Sequence, residues 1–346
     1  MNFKYNHKTF FTNKNGPVII AEISCNHNGK KSNFLNHIKL AKKAGADIIK
    51  IQTYRPEDLV LKSKFKISSG IWKGMNLWKL YSKAQTPFEW HYDAFKLAKK
   101  LKITLFSSPF SVEAVRFLKK NFNPPMYKIA SAEITDLKLV KEIAKTKKPV
   151  VISTGMASFY EIDNALKIIK NYHKKILLLH CVSGYPTPDH EANISFIHKL
   201  KARYTKIPIG LSDHTNNIYS SLAAVPLGIV AIEKHFIQSS KTKSLDSKFS
   251  IDPIKLRKLK QSCKKIFYSL GIATKDIKSE KATKKFRRSI FITKFIKKNQ
   301  KISSKNINTF RPKIGICASE YFNVIGKYAK KNLSPNKPLY WSNIKK

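Results

Sequence analysis

Acidic residues are scarce. Asp and Glu number 21 against 67 Lys and Arg, leaving a formal net charge of +46 over 346 residues. Such an imbalance draws anions, whether nucleic acid, an anionic membrane or a small acidic substrate. A codon bias toward A and T produces the same imbalance without selection for binding, since Lys far outnumbers Arg and Asn, Ile and Phe are abundant. The lysines are scattered over helical faces (Lys42, Lys43, Lys99, Lys100, Lys102) and form no basic arm. That favours a compositional origin over a nucleic-acid interface. Under either origin the field hastens an anionic substrate's arrival.

Cysteine is also rare. Cys25, Cys181, Cys263 and Cys317 form no CxxC pair. A disulfide frame is thereby disfavoured, and reduced thiols in a cytoplasmic protein are expected. No apolar run approaches about 18 residues, so no membrane helix is expected. The opening MNFKYNHKTFFTNKNG lacks the continuous apolar stretch of a signal peptide. Also missing are a GxGxxG after the first strand-like run, a P-loop and a Ser–His–Asp order. A doubly wound nucleotide-binding sheet is therefore the weaker alternative for the fold.

What is present is a series of short Val, Ile and Leu runs. PVIIAEI (17–23), DIIKIQT (47–53), ITLFSS (103–108), MYKIAS (126–131), PVVIST (149–154) and ILLLHC (176–181) read as buried parallel strands. Two more lie in 208–236, PIGLSDHT and IVAIEKHF. Helical sequence follows each run, and Gly45 stands where a helix C-cap glycine belongs. Eight strand–helix repeats predict a TIM barrel over residues 1–272. Residues 1–16 read as a polar lead-in or small hairpin. Residues 54–86, rich in Trp, Gly and Tyr, read as an insertion over the barrel mouth. Residues 273–287 read as a Lys-rich linker. A small domain over 288–346 follows, with short strands in SIFIT and INTFRP and a short helix around 320–329.

The strand ends are loaded. The last two runs stop at Ser212, Asp213, His214 and at Glu233, Lys234, His235. In a parallel barrel these ends share one mouth, so His214 and His235 make a candidate divalent-metal pair. Lys50 and Gln52, two apart, lie on one strand face, and a buried cation there needs a ligand or a partner. Lys50, Lys128, Ser108, Ser131, Ser153 and Ser212 form a cradle suited to phosphate and carboxylate. Glu22, Glu133 and Asp246 add proton-transfer groups. Each hydroxyl taken singly reads more readily as a structural helix cap than as a catalytic group.

IIAEISCNHNG, AGADIIKIQTY, FSSPF, YKIASAEITDL, ISTGMAS, LLHCVSGYPTP, IGLSDHT and IEKHF resemble the sialic acid synthases. GIWKGMNLWKLYSKAQTPFEWH, DSKFS and PLYWSNI resemble that family's pseudaminate branch. Ser183 and Ser108 depart from the Asn and Thr frequent in the neuraminate branch. The resemblance implies an antifreeze-like SAF (β-clip) domain at 288–346. It also implies condensation of phosphoenolpyruvate with an N-acetylated amino sugar, in this branch a 2,4-diacetamido-2,4,6-trideoxy hexose of the altrose type. On this resemblance Lys50, Ser108, Lys128, Ser131, Ser153, Ser183 and Ser212 hold phosphoenolpyruvate. His214 and His235 bind Mn²⁺, with Mg²⁺ or Co²⁺ as alternatives. Glu22, Glu133 and Asp246 are catalytic, and Gln52 and Tyr185 contact the sugar. Arg311 reaches the sugar from the other subunit of a domain-swapped homodimer. N-acetylneuraminate or legionaminate synthesis is the alternative activity, and a basic nucleic-acid-binding protein is the alternative of another class.

Overall fold

In the computed structural model, residues 3–5, 8–11 and 15–345 are described. Strands β1 (Phe3–Tyr5) and β2 (Lys8–Phe10) pair antiparallel as a small N-terminal hairpin. Residues 6 and 7, between them, lie outside the described residues.

Eight parallel strands then close a barrel. They are β3 (Val18–Glu22), β4 (Ile48–Thr53), β5 (Thr104–Pro109), β6 (Tyr127–Ile129), β7 (Val150–Ser153), β8 (Ile176–Cys181), β9 (Ile209–Asp213) and β10 (Ala231–His235). They neighbour one another in chain order, and β10 closes on β3 with His235 opposite Glu22. The chain splits into two compact units, residues 1–271 and 272–346.

Period-two alternation sorts the strand residues. Ile20, Ile48, Phe106, Met126, Val151, Leu177, Leu179 and Ala231 pack together inside the barrel. Their neighbours Ile19, Ala21, Ile49, Ile51, Leu105, Ile152, Leu178 and Ile232 face the helix layer. Two residues beyond the last inward apolar position of each of these strands the same row reaches Glu22, Lys50, Ser108, Lys128, Ser153, Cys181 and Glu233. Gly210 belongs to this row, and a Cβ there would strike Leu179 and the Ala231 carbonyl.

Helix α1 (Lys31–Ala44) ends at Gly45, whose φ of 100° gives the expected left-handed cap. In the insertion, α2 (Pro56–Leu59) precedes α3 (Leu77–Ala84), started by the Asn76 side chain accepting from the Lys79 amide. Helix α4 (Phe88–Lys100) buries His91, Ala94 and Ala98. The following helices are α5 (Val112–Asn121), α6 (Leu137–Lys145) and α7 (Phe159–Lys170). Ser111, Asp136 and Ser158 cap their first turns, so these strand-end hydroxyls and carboxylates are helix starters. Then come α8 (Phe196–Arg203), α9 (Tyr219–Ala224) and α10 (Pro253–Ser269).

In the second unit, residues 273–287 are not featureless. Helix α11 (Lys278–Thr283) forms there with no buried side chain. Strands β11 (Ser289–Ile292) and β12 (Ile307–Phe310) pair antiparallel over a core that includes Ile290, Ile302, Ile316 and Leu339. The helix expected around 320–329 is confined to α12 (Tyr321–Val324). Gly326, at φ 90°, turns the chain out of it, and Tyr328 and Ala329 instead make isolated bridges to Lys301 and Ile344.

Candidate active site

A cavity of about 290 Å³ opens at the carboxyl ends of the strands. Its lining comes from the first unit. It includes Lys50, Gln52, Lys128, Ser131, Glu133, Ser153, Ser183, Tyr185, Ser212, His214, His235 and Asp246 from the sequence-based set. Glu22 and Ser108 lie just beneath, buried. Arg311 belongs to the second unit, where it is exposed just past β12.

Charge is concentrated at the floor. Glu233 Oε1 accepts from Lys50 Nζ at 2.7 Å, from Lys128 Nζ at 2.8 Å and from Ser212 Oγ at 3.1 Å. Its Oε2 lies 3.1 Å from Lys128 Nζ. Glu22 Oε2 stands 3.3 Å from Lys50 Nζ, and Gln52 Nε2 donates to Glu22 Oε1 at 3.0 Å. Burial resists the charge on Lys50, but Glu22 and Glu233 outweigh it and push the pKa up. At Lys128 burial prevails, helped by repulsion from Lys50, and the pKa falls to about 8. Burial likewise opposes ionisation of Glu233, yet the two lysines hold it well below the usual carboxylate range. Glu22, more weakly countered, is pushed up by burial.

Around this floor stand hydroxyls and a glycine. The Gly155 amide donates to Ser131 Oγ at 3.1 Å. A Cβ on Gly155 would meet Ser183 Oγ, Ser131 Oγ and, at 3.2 Å, Cys181 Sγ. Glycine therefore leaves room for a ring of polar atoms there. Glu133 sits at the rim, its pKa pushed up to about 7 by burial. The opposite wall is aromatic. Tyr185 lies 5.7 Å from Trp72 and 5.1 Å from Phe249, centroid to centroid. Trp72 comes from the insertion and donates its indole N–H to the Leu245 carbonyl at 3.3 Å. The insertion thus contributes to the mouth, with Tyr54, Leu80 and Tyr81 beside Trp72.

The two histidines face each other, ring centroids 5.3 Å apart. His214 Nδ1 donates to the Val182 carbonyl at 3.0 Å, so in the neutral ring the lone pair is on Nε2. His235 Nδ1 lies 3.4 Å from Asp246 Oδ2, and the Asp246 carboxylate also accepts from Ser24 Oγ. Burial opposes the charge on Asp246, but His235 and Ser24 hold its pKa down. Among the described residues no group of three or more His, Cys, Asp or Glu is placed to hold a metal ion. The imidazoles of His214 and His235 alone could supply part of a divalent ion's ligands, leaving its other positions open.

Several buried polar atoms here make no hydrogen bond: Ser108 Oγ, Glu133 Oε2 and Ser153 Oγ, with Glu22 Oε2 and His235 Nδ1 held only in the ion pairs to Lys50 and Asp246. Buried polar groups are nearly always paired, so orphans gathered at one cavity mark where a polar ligand belongs. Sequence reasoning left Glu233, Ser24, Cys25, Cys181, Trp72 and Phe249 out of the binding set, yet all line the cavity. Strand parity could have found Glu233, since it lies two residues before His235 on one face.

A closed parallel barrel with buried lysines, carboxylates and hydroxyls at its carboxyl-end mouth defines a barrel enzyme for a small anionic substrate. The chain matches the NeuB family over residues 37–275 and the SAF domain over 287–345. It is 38% identical to the pseudaminic acid synthase of Helicobacter pylori, over 95% of this chain and 98% of the relative. It is 41% identical to the pseudaminic acid synthase of Campylobacter jejuni, over 91% and 93%. The solved N-acetylneuraminic acid synthetase of Leptospira borgpetersenii, in complex with citrate, superposes with a TM-score of 0.74. It is 31% identical and covers 82% of this chain and 95% of that one. The chain belongs to the NeuB family of sialic acid synthases, enzymes that condense phosphoenolpyruvate with a sugar.

Proposed function

We propose that the chain acts as a pseudaminic acid synthase. Phosphoenolpyruvate, water and a 2,4-diacetamido-2,4,6-trideoxy hexose of the altrose type give a nonulosonic acid and phosphate. The observation that carries this reading is the set of orphaned polar atoms around two buried lysines at the barrel mouth. The identity to two pseudaminic acid synthases narrows it to that branch.

C3 of phosphoenolpyruvate forms a bond to the aldehyde carbon of the open-chain sugar, and the aldehyde oxygen becomes a hydroxyl. The cation left at C2 takes up water and loses a proton. The C2–O bond to phosphate then breaks, leaving the keto acid. Lys50 and Lys128 hold the anionic ends of phosphoenolpyruvate, with Ser108, Ser131, Ser153, Ser183 and Ser212 as hydroxyl donors. Glu133, its carboxyl balanced near neutrality, moves the water's proton, with Glu22 behind it. Gln52, Tyr185 and Asp246 position the sugar, and the aromatic wall of Trp72 and Phe249 suits its apolar methyl groups. His214 and His235 would hold a divalent ion, Mn²⁺ first with Mg²⁺ or Co²⁺ as alternatives, and such an ion would polarise the aldehyde as a Lewis acid.

The chain works as a homodimer in which Arg311 completes the other copy's site, in a cytoplasmic setting. Mixing Arg311→Ala with Lys50→Ala protein should restore activity in the heterodimer, and no recovery would remove the exchange. No helix among the described residues is long and apolar enough to cross a membrane. The activity itself is tested by phosphate release and product mass with a panel of amino sugars. Turnover of the altrose-type sugar well above N-acetylmannosamine and the legionaminate precursor is expected. Preference for either of the others would replace this reading.

A further inference from the structure

We propose that Glu233 is the resident anion of the cradle, a positioning carboxylate that holds Lys50 and Lys128 for catalysis and limits how tightly phosphate-bearing ligands are gripped. The inference rests on the proposed function, because it takes the cradle to bind phosphoenolpyruvate and release phosphate.

Glu233 lies on the inward row of β10 and is 3% exposed. Its carboxylate touches both lysines and Ser212, three of the groups that face the anion. Glu22 approaches Lys50 alone. Two ammonium groups held together in a buried site repel, and each is costly to bury without a counter-charge. One carboxylate shared between them removes both difficulties and sets their spacing before substrate arrives. The same carboxylate then stands beside any phosphate or carboxylate the lysines receive, and like charges at that range oppose binding. Orientation and affinity are therefore coupled through Glu233 with opposite signs. A cradle of two unopposed lysines would hold its phosphate product, whereas one that already contains an anion lets it go.

The test compares Glu233→Gln with the unaltered protein. Binding of phosphoenolpyruvate and of inorganic phosphate is measured by calorimetry without sugar, with steady-state kinetics alongside. Glu233→Gln should bind both anions about tenfold more tightly, the scale of removing one nearby like charge. Its kcat should fall, and KM for phosphoenolpyruvate should fall with it. A merely structural lesion would lower kcat while raising KM. Should Glu233→Gln fail to fold, Glu233→Ala purified in formate takes its place. Withdrawing formate should then tighten phosphate binding and lower kcat. A folded variant that binds phosphate no more tightly than the unaltered protein overturns the inference. If the unaltered protein binds neither anion, the cradle reading itself fails, and this inference with it.

Discussion

Strand β10 takes part in two buried lysine–carboxylate groups, one on each face, and the two differ in kind. On the outward face Lys234 Nζ lies 3.0 Å from Asp213 Oδ1 and donates to the Thr215 carbonyl and hydroxyl. Asp213 in turn accepts from the Thr215 amide and from Ser221 Oγ. Neither side chain is left with an orphaned atom. On the inward face Glu233 joins Lys50 and Lys128, and around it Ser108, Glu133 and Ser153 each keep a buried atom that makes no hydrogen bond. Both groups are equally hidden from water, so burial does not distinguish them. Completeness of pairing does. A closed network ties strand to helix, whereas an open one awaits a ligand.

Neighbouring residues of β10 put that distinction to its hardest test. His235→Ala, like His214→Ala, should abolish turnover and its dependence on divalent ions, because each removes one of two imidazoles. Full activity of the unaltered enzyme after exhaustive chelation would dismiss the metal reading. One position earlier, Lys234→Ala should destabilise the protein by about 3–5 kcal/mol, since it leaves the Asp213 carboxylate buried and unpaired. Its KM for phosphoenolpyruvate, measured below the melting transition, should hardly move. A changed KM with an unchanged melting curve would reverse the roles assigned to the two faces.

The inward lysines should behave oppositely. Lys50→Ala and Lys128→Ala should each lose about 10-fold or more in kcat/KM for phosphoenolpyruvate, corresponding to about 1.5–3 kcal/mol for a desolvated charged contact. Unchanged kinetics in both variants would place the anion elsewhere.

The smallest effect is a slope with pH. Glu133 must be ionised to take a proton, and burial raises its pKa to about 7. Turnover should therefore rise through pH 7 and fall about tenfold per unit below it. Glu133→Gln should flatten that limb, and a limb that survives in the variant would assign the proton transfer to another group. For stability the sign is opposite: a raised carboxyl pKa favours folding at low pH, and that contribution is lost as pH rises through 7.

Much of the site was legible because a barrel strand alternates strictly. Lys50, Lys128, Ser153 and His235 each follow an apolar run by an even step, and parallel strands bring such ends to one mouth. Glu233 was legible by the same rule, but a sequence shows its charge and not whom it touches. Its neighbour Lys234 looks no different in one dimension. Ser111 and Ser158, similar in sequence to Ser131 and Ser153, turned out to be helix caps. Trp72 was expected at the mouth only as part of the 54–86 insertion, and neither it nor Phe249 could be aimed at the cavity, because long loops carry no period from which a direction follows.

The amino-acid order by itself determined the eight strands, their inward rows, the small second unit and the membership in a family of condensing enzymes. Periodicity and motif spacing are local properties, and they survive in one dimension. Only the tertiary structure decided which buried charges are paired among themselves and which stand open to a ligand. That depends on distances between residues as far apart as Lys50 and Glu233, which barrel closure brings to 2.7 Å.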